Sequence, residues 1–535
     1  MRLTSKSFVG AVLGASFFIV LTTQLRITSS AKPAAYDLVI TNARVIDGTG
    51  NPWFRADVAI KNGRIVRVGN IAPSEASQAI DAKGQILAPG FIDVHTHVES
   101  IYNIPAAENF VRMGVTSLVT GNCGSSTTNI GEFLDRIKQK PLAVNLATLI
   151  AHGSVRRSVV GLDDRAPTPE EMTKMEAVVE QAMKDGAVGL STGLIYVPGT
   201  YAKTDEIVTL AKVAARYHGL YATHMRNEGD KVADAIRESI QIGEQAGLPV
   251  EISHFKISNK KLWGQSPMTL GLVRDARARG LMVTVDQYAY TASSTSLDAR
   301  LPSWLRAGGL EEGKKRLADQ ATRERVVKEM KDNLKNAGFK DYSFAVVASY
   351  QPDQSFNGKS ILEITKQVKG KSDIKSQIDQ VLAMYEAGGA SMIYHSMGEP
   401  DVQRIMQEPF TMIASDSGVR QADESVPHPR GYGNNARVLG RYVRELKIMS
   451  LEDAIRKMTS LPAQTFGFRD RGMIREGFAA DIVIFDENTI ADRATFDKPH
   501  QFPVGITYVL VNGQLVLGNE KMTDARPGVA LRRTP

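Results

Sequence analysis

The chain has 535 residues, enough to bury a large core and to hold more than one structural unit. Hydrophobic residues make up 43% and charged residues 23%, which excludes a disordered or fibrous protein. The formal charge of +7 falls to +4 without Arg2, Lys6 and Arg26 of the acid-free first 31 residues, and no Lys/Arg block is interleaved with aromatics, so no nucleic-acid partner is expected.

In chain order, Arg2 and Lys6 precede an apolar run from Phe8 to Leu21, and the small residues Ser29, Ser30 and Ala31 follow. This is the layout of a secretory signal over residues 1–31. The run is short for a stable membrane span. An uncleaved anchor is the alternative, and both readings make the folded part secreted or periplasmic, with no membrane contact once a signal is cleaved.

Residues 36–71 read as short strands broken by turns. Asn62-Gly63 between Asp57–Ile60 and Arg64–Val68 is a hairpin signal, and Asn512-Gly513 between Ile506–Val511 and Gln514–Leu517 repeats it. Residues 36–86 and 468–530 are therefore expected to form one small β-sandwich domain from both chain ends, with two separate β caps as the alternative.

Between them, apolar strands alternate with amphipathic helical stretches, the rhythm of a parallel sheet. Strands are expected near 86–94, 115–121, 145–152, 187–196, 220–226, 249–256, 281–288 and 411–416, eight in all. The fold class is α/β, a (β/α)8 TIM-like barrel over 87–467. The long gap before the last strand marks residues 297–390 as an insertion, largely helical and charged, acting as a lid or pocket wall or as a solvated decoration.

His95 and His97 follow the apolar run ending at Val94; at i and i+2 of an extended segment both side chains point to one side. Cys123, His224, His254 and Asp416 each close a later strand, and strand C-termini are where barrel enzymes gather their chemistry. Cys123 is the only cysteine, so no internal disulfide forms. It is either a buried apolar residue or a metal thiolate, and its place in Gly121-Asn122-Cys123-Gly124 favours the thiolate. Imidazole, thiolate and carboxylate donors suit Zn²⁺, which polarises a carbonyl and acidifies water, and six donors suffice for two neighbouring positions. Asp416 is the candidate acid/base, with helix N-capping as its structural duty. Tyr196, Arg226 and Lys256, at or just past strand ends four to six, are candidates for holding a substrate carboxylate; Arg226 could instead be a structural ion pair with Glu228 or another acid.

Ala88-Pro89-Gly90-Phe91-Ile92-Asp93-Val94-His95-Thr96-His97, Gly121-Asn122-Cys123-Gly124, Thr223-His224-Met225-Arg226, Ile252-Ser253-His254-Phe255-Lys256, Ser415-Asp416 and His428-Pro429-Arg430 together resemble the amidohydrolase superfamily, and within it the D-aminoacylases. The resemblance covers residues 36 to 530. It implies that Cys123, His224 and His254 hold one tight zinc, that His95, His97 and Asp416 form a second, weaker position, and that Asp416 is the acid/base. It also implies a carboxylate-binding role for Tyr196 and Lys256. Ser191-Thr192-Gly193 stands where many superfamily members carry a bridging lysine, so that subtype is not expected. Val98 intervenes before Glu99, where D-aminoacylases carry acids directly after the His pair. The expected activity is zinc-dependent hydrolysis of N-acyl-D-amino acids, small-molecule substrates, to a carboxylate and a free D-amino acid. The rivals are a dipeptidase or cyclic-amide hydrolase of the same superfamily and an inactive binding protein.

Overall fold

A computed structural model describes residues 34–533, together with Ser7 and Gly10. The expected signal segment otherwise lies outside the described residues. No helix among the described residues is long and apolar enough to cross a membrane.

Both chain ends contribute to one nine-stranded sheet. Tyr36–Val45 pairs with Phe54–Lys61 on one side and with Ala76–Asp81 and Ile86–Pro89 on the other; Ile86–Pro89 then pairs with the C-terminal strand Ile482–Phe485. Leu38, Ile40, Val58, Ile60, Ile482 and Leu510 form its apolar core. Both Asn-Gly turns have positive φ at both residues, the conformation a two-residue hairpin needs. The turns also meet: a Cβ on Gly63 would lie 2.8 Å from the Asn512 carbonyl oxygen, so glycine is required there.

The barrel strands are β1 (Phe91–Asp93), β2 (Val115–Thr120), β3 (Asn145–Thr148, continued by Ile150–Ala151), β4 (Gly189–Gly193), β5 (Leu220–His224), β6 (Val250–Ile252), β7 (Val283–Gln287) and β8 (Thr411–Ile413). They pair in parallel from β1 to β3 and from β3 to β8. The ring closes just past the strand ends, where the Asp416 amide donates to the His95 carbonyl and the His97 amide to the Ser417 carbonyl, both at 2.9 Å. Amphipathic helices cover the outside. Val232–Ala246, for example, buries Val232, Ala235, Ile236 and Ile240 at helical spacing and stops at Gly247 in the left-handed conformation.

Two sequence expectations are corrected. The apolar run 86–94 is not one strand: Ile86–Pro89 belongs to the terminal sheet and Phe91–Asp93 to the barrel, with the crossing at Gly90 pressed against Thr116. The insertion is largely helical, as expected, but it starts earlier and also carries a sheet. Ser293–Ser296, Ala345–Ser349 and Ser391–Tyr394 form an antiparallel sheet under five helices, with an apolar core of its own that includes Val347, Leu382 and Met392. It begins at Ser293, ahead of the expected residue 297.

Candidate metal centre and active site

Three of the six candidate ligands sit in left-handed backbone conformations: Cys123 (φ 53°), His254 (φ 38°) and Asp416 (φ 51°). Each costs of order 1–2 kcal/mol for a residue with a Cβ, strain that folded proteins concentrate at functional sites. It turns each side chain from its strand end across the barrel axis. Close packing fixes the Cys123 turn: a Cβ on Gly193 would lie 2.0 Å from the Cys123 carbonyl oxygen. The end of β4 therefore packs backbone to backbone against this turn, and glycine is required at 193.

All six candidates converge. Cys123, His224 and His254 place one donor atom each within 4.8 Å of one another, as do His95, His97 and Cys123, and His95, His254 and Asp416. His254 Nε2 lies 2.7 Å from His224 Nδ1 and 3.6 Å from Cys123 Sγ. His95 Nε2 lies 3.2 Å from Cys123 Sγ and 3.6 Å from Asp416 Oδ1; His97 Nε2 is 3.1 Å from the same oxygen. The far nitrogens of His95 and His254 face charged groups. His95 Nδ1 donates to Asp286 Oδ2 at 2.9 Å, and His254 Nδ1 lies 3.0 Å from Glu228 Oε1. At His95 the carboxylate on one ring nitrogen leaves the other as a bare lone pair, the arrangement that orients a histidine for metal, whereas His254 Nδ1 also has the Lys256 ammonium at 2.9 Å. The donor set and its crowding fit zinc.

The electrostatics agree. Burial opposes ionisation of Cys123, but the imidazoles of His95 and His254 outweigh it and hold the thiol well below its usual range. Burial likewise opposes the Asp416 charge, yet Arg430, His95 and His97 keep its carboxyl well below the ordinary carboxylate range. Asp416 and Arg430 open onto a cavity of about 1400 Å³ together with His224, Tyr196, Thr295 and Phe344, the last two from the insertion. The insertion is thus a pocket wall.

The amidohydrolase family profile matches residues 78–517. D-aminoacylase of Alcaligenes xylosoxydans xylosoxydans is 34% identical over 531 positions, covering 95% of this chain and 99% of its own. N-acyl-D-glutamate deacylase of the same organism is 36% identical, covering 93% and 96%. Among solved structures, N-acyl-D-glutamate deacylase of Bordetella bronchiseptica, complexed with zinc and a phosphonate mimic of the tetrahedral intermediate, is 34% identical with a TM-score of 0.79 over 93% of this chain and 99% of its own.

The chain belongs to the amidohydrolase family, among its D-aminoacylases.

In this D-aminoacylase relative the expected carboxylate-binding residues fare differently. Tyr196 faces the cavity, its hydroxyl 2.9 Å from Thr295 Oγ1 and 3.5 Å from His224 Nδ1. Arg226 is a correction: its guanidinium donates to Glu238 at 2.9–3.0 Å and to the carbonyls of Thr200 and Ala202, so it fastens the loop after β4 and is not free for substrate. Lys256 is buried on the cavity wall with its ammonium engaged, 2.5 Å from Glu228 and 2.9 Å from both Nδ1 and the carbonyl of His254. Asp416 is not a helix N-cap, since the next helix starts only at Arg430 behind Pro429. Glu99, displaced by Val98, turns away from the cavity and accepts from Thr120 Oγ1 at 2.7 Å and the Gly121 amide at 3.1 Å.

Three functional residues escaped sequence reasoning. Arg430, quoted only as part of a motif, brings Nη1 to 2.9 Å from Asp416 Oδ2 and stacks over Tyr288 at 4.5 Å. That Nη1 contact is an ion pair by distance but is not aligned as a hydrogen bond. Asp286 orients His95, and Glu228 anchors Lys256 beside His254 Nδ1. Asp286 lies inside Val283-Thr284-Val285-Asp286-Gln287, so a charge on a barrel strand was its available signal. His152 begins a helix and holds Glu206 with Arg156, and His428 is buried on the Ala292 carbonyl; neither touches the metal cluster.

Proposed function

We propose that this protein is a zinc-dependent amidohydrolase that cleaves N-acyl-D-amino acids to a carboxylate and a free D-amino acid. The observation that carries the reading is Asp416: an ionised carboxylate with one oxygen against His97 and His95 and the other against Arg430, on the wall of a large cavity. The D-aminoacylase relatives supply the substrate class.

Cys123, His224 and His254 would hold the tight zinc, and His95, His97 and Asp416 the weaker position. When bound there, zinc supplies Lewis-acid polarisation of the acyl carbonyl and acidifies water. Asp416 Oδ1 takes the proton of the attacking water and returns it to the departing amine. Arg430 keeps Asp416 ionised and offers its outward donors to the free carboxylate of the amino acid, with the Tyr196 hydroxyl beside it. Asp286 holds His95 in the tautomer that faces the centre, and Glu228 anchors the Lys256 ammonium beside His254. The N-terminal segment supports a further proposal, export from the cytoplasm, which N-terminal sequencing of protein from the extracytoplasmic fraction checks.

The test of function is a hydrolysis screen of matched D and L N-acetyl amino acids with zinc content measured in parallel. Turnover of the D series by zinc-loaded protein is expected. Preference for the L series, or for dipeptides or ring amides, contradicts the proposal.

A further inference from the structure

The cavity wall carries more positive charge than one substrate carboxylate requires. Most of it is engaged: Arg226 on Glu238, Lys256 on Glu228, Arg306 on the Ile195 carbonyl and near Asp298, and Arg300 on the face of Tyr394. The exposed Arg157 and the partly buried Arg420 are not among these. Arg420 lines the same cavity as Asp416 and Arg430, forms no ion pair among the described residues, and its Nε, like those of Arg300 and Arg306, has no hydrogen-bond partner. Its place is fixed nonetheless. The buried Asn109 accepts from the Arg420 amide at 3.2 Å and donates to the carbonyls of Gly418 and Gly431 at 3.2 and 2.9 Å. The side chain lies along the backbone just past Arg430, since a Cβ on Gly431 would meet Arg420 Cδ and Nε at 3.4 Å.

We propose that Arg420 binds a second carboxylate, carried on the side chain of the substrate, and so makes this enzyme selective for N-acyl-D-amino acids with acidic side chains. The inference rests on the amidohydrolase reading above and adds the substrate's side chain to it. Burial and the Arg430 charge both work against the Arg420 cation in the free protein. A dicarboxylate relieves both: its α-carboxylate meets Arg430, and its side-chain carboxylate meets the unpaired guanidinium, a charge-assisted and potentially bidentate contact. A neutral side chain leaves that cation desolvated and unmatched, a source of discrimination larger than shape alone provides.

The test compares N-acetyl-D-glutamate with N-acetyl-D-glutamine, nearly equal in size and different in charge, on the zinc-loaded full chain. The parent enzyme is expected to favour the glutamate derivative in kcat/KM. In Arg420→Met the glutamate-to-glutamine ratio of kcat/KM should fall about tenfold or more, mainly through KM, as expected for one lost charge-assisted contact. Arg420→Lys should retain part of the preference. Zinc content and melting temperature report whether the variants fold, and the parent's own preference needs no variant. A parent that favours glutamine overturns the inference, as does a Met variant that loses both substrates equally while still folded. If other N-acyl-D-amino acids turn over and these two do not, this inference alone falls. If none turns over with zinc bound, the functional reading falls and takes it down too.

Discussion

The two ends of the barrel handle buried polar groups in opposite ways. At the floor, Asp481 accepts from Arg471, from Asn145 Nδ2 at 3.0 Å and from the Asn512 amide at 2.7 Å; Asn145 Oδ1 in turn accepts from Asn512 Nδ2 at 2.8 Å and the Val529 amide at 3.1 Å. This network ties β3 to the terminal sheet, and each of its charged and amide side chains finds a partner. At the mouth, His224 Nε2 and Arg430 Nη1 lack hydrogen bonds, two ring nitrogens face each other at 2.7 Å, and three ligands hold left-handed backbone. A satisfied buried network specifies a fold, whereas a frustrated one awaits a ligand. The floor is scaffold; the mouth is prepared for cations and anions that the protein itself does not supply.

Mutations can break that division. The largest effect on turnover belongs to the mouth: Asp416→Asn should lower kcat about 10²–10⁴-fold, the range for loss of a positioned acid/base, in protein that still melts cooperatively. Steady-state kinetics and thermal melts on one preparation read both. At the floor the order reverses. Arg471→Met leaves Asp481 buried without its cation and should cost about 3–5 kcal/mol of stability, measured by urea unfolding, while KM and zinc content stay at parent values. The smallest effect is expected at the surface, where Arg165 pairs with Glu171 of the capping box of helix Pro169–Lys184. Hydrogen bonds from Arg165 and the Thr168 amide hold the Glu171 carboxyl down at about 2. A depressed acid stabilises the fold above its unfolded range, and that contribution is lost as the pH falls through the folded value. Glu171→Gln should therefore lower the melting temperature slightly at neutral pH, and the difference should fade as the pH drops from about 4.5 towards 2.

The same division explains what could be read in the sequence. His95, His97, Cys123, His224, His254 and Asp416 were legible because each closes an apolar run, and a parallel barrel sends all such ends to one mouth. The partners that tune them were not. Glu228 and Asp286 sit beside other polar residues, and nothing local says which ring they face. Arg226 has its acid, Glu238, on the helix after β5, and only the fold brings that helix face to the loop. The insertion's sheet was hidden because Ser293-Ser294-Thr295-Ser296 has no apolar residue and pairs with a strand almost a hundred residues later. Arg420 carries no sequence signal at all; it stands out because it is partly buried beside Arg430 and has no acid of its own.

The central claim is that Cys123, His224 and His254 form one tight metal site. Cobalt substitution tests it most directly. The parent protein should bind one Co²⁺ tightly and show a thiolate-to-metal absorption band that Cys123→Ser abolishes. A band that survives the Ser substitution, or tight metal binding that persists undiminished in His224→Asn and His254→Asn, would contradict it.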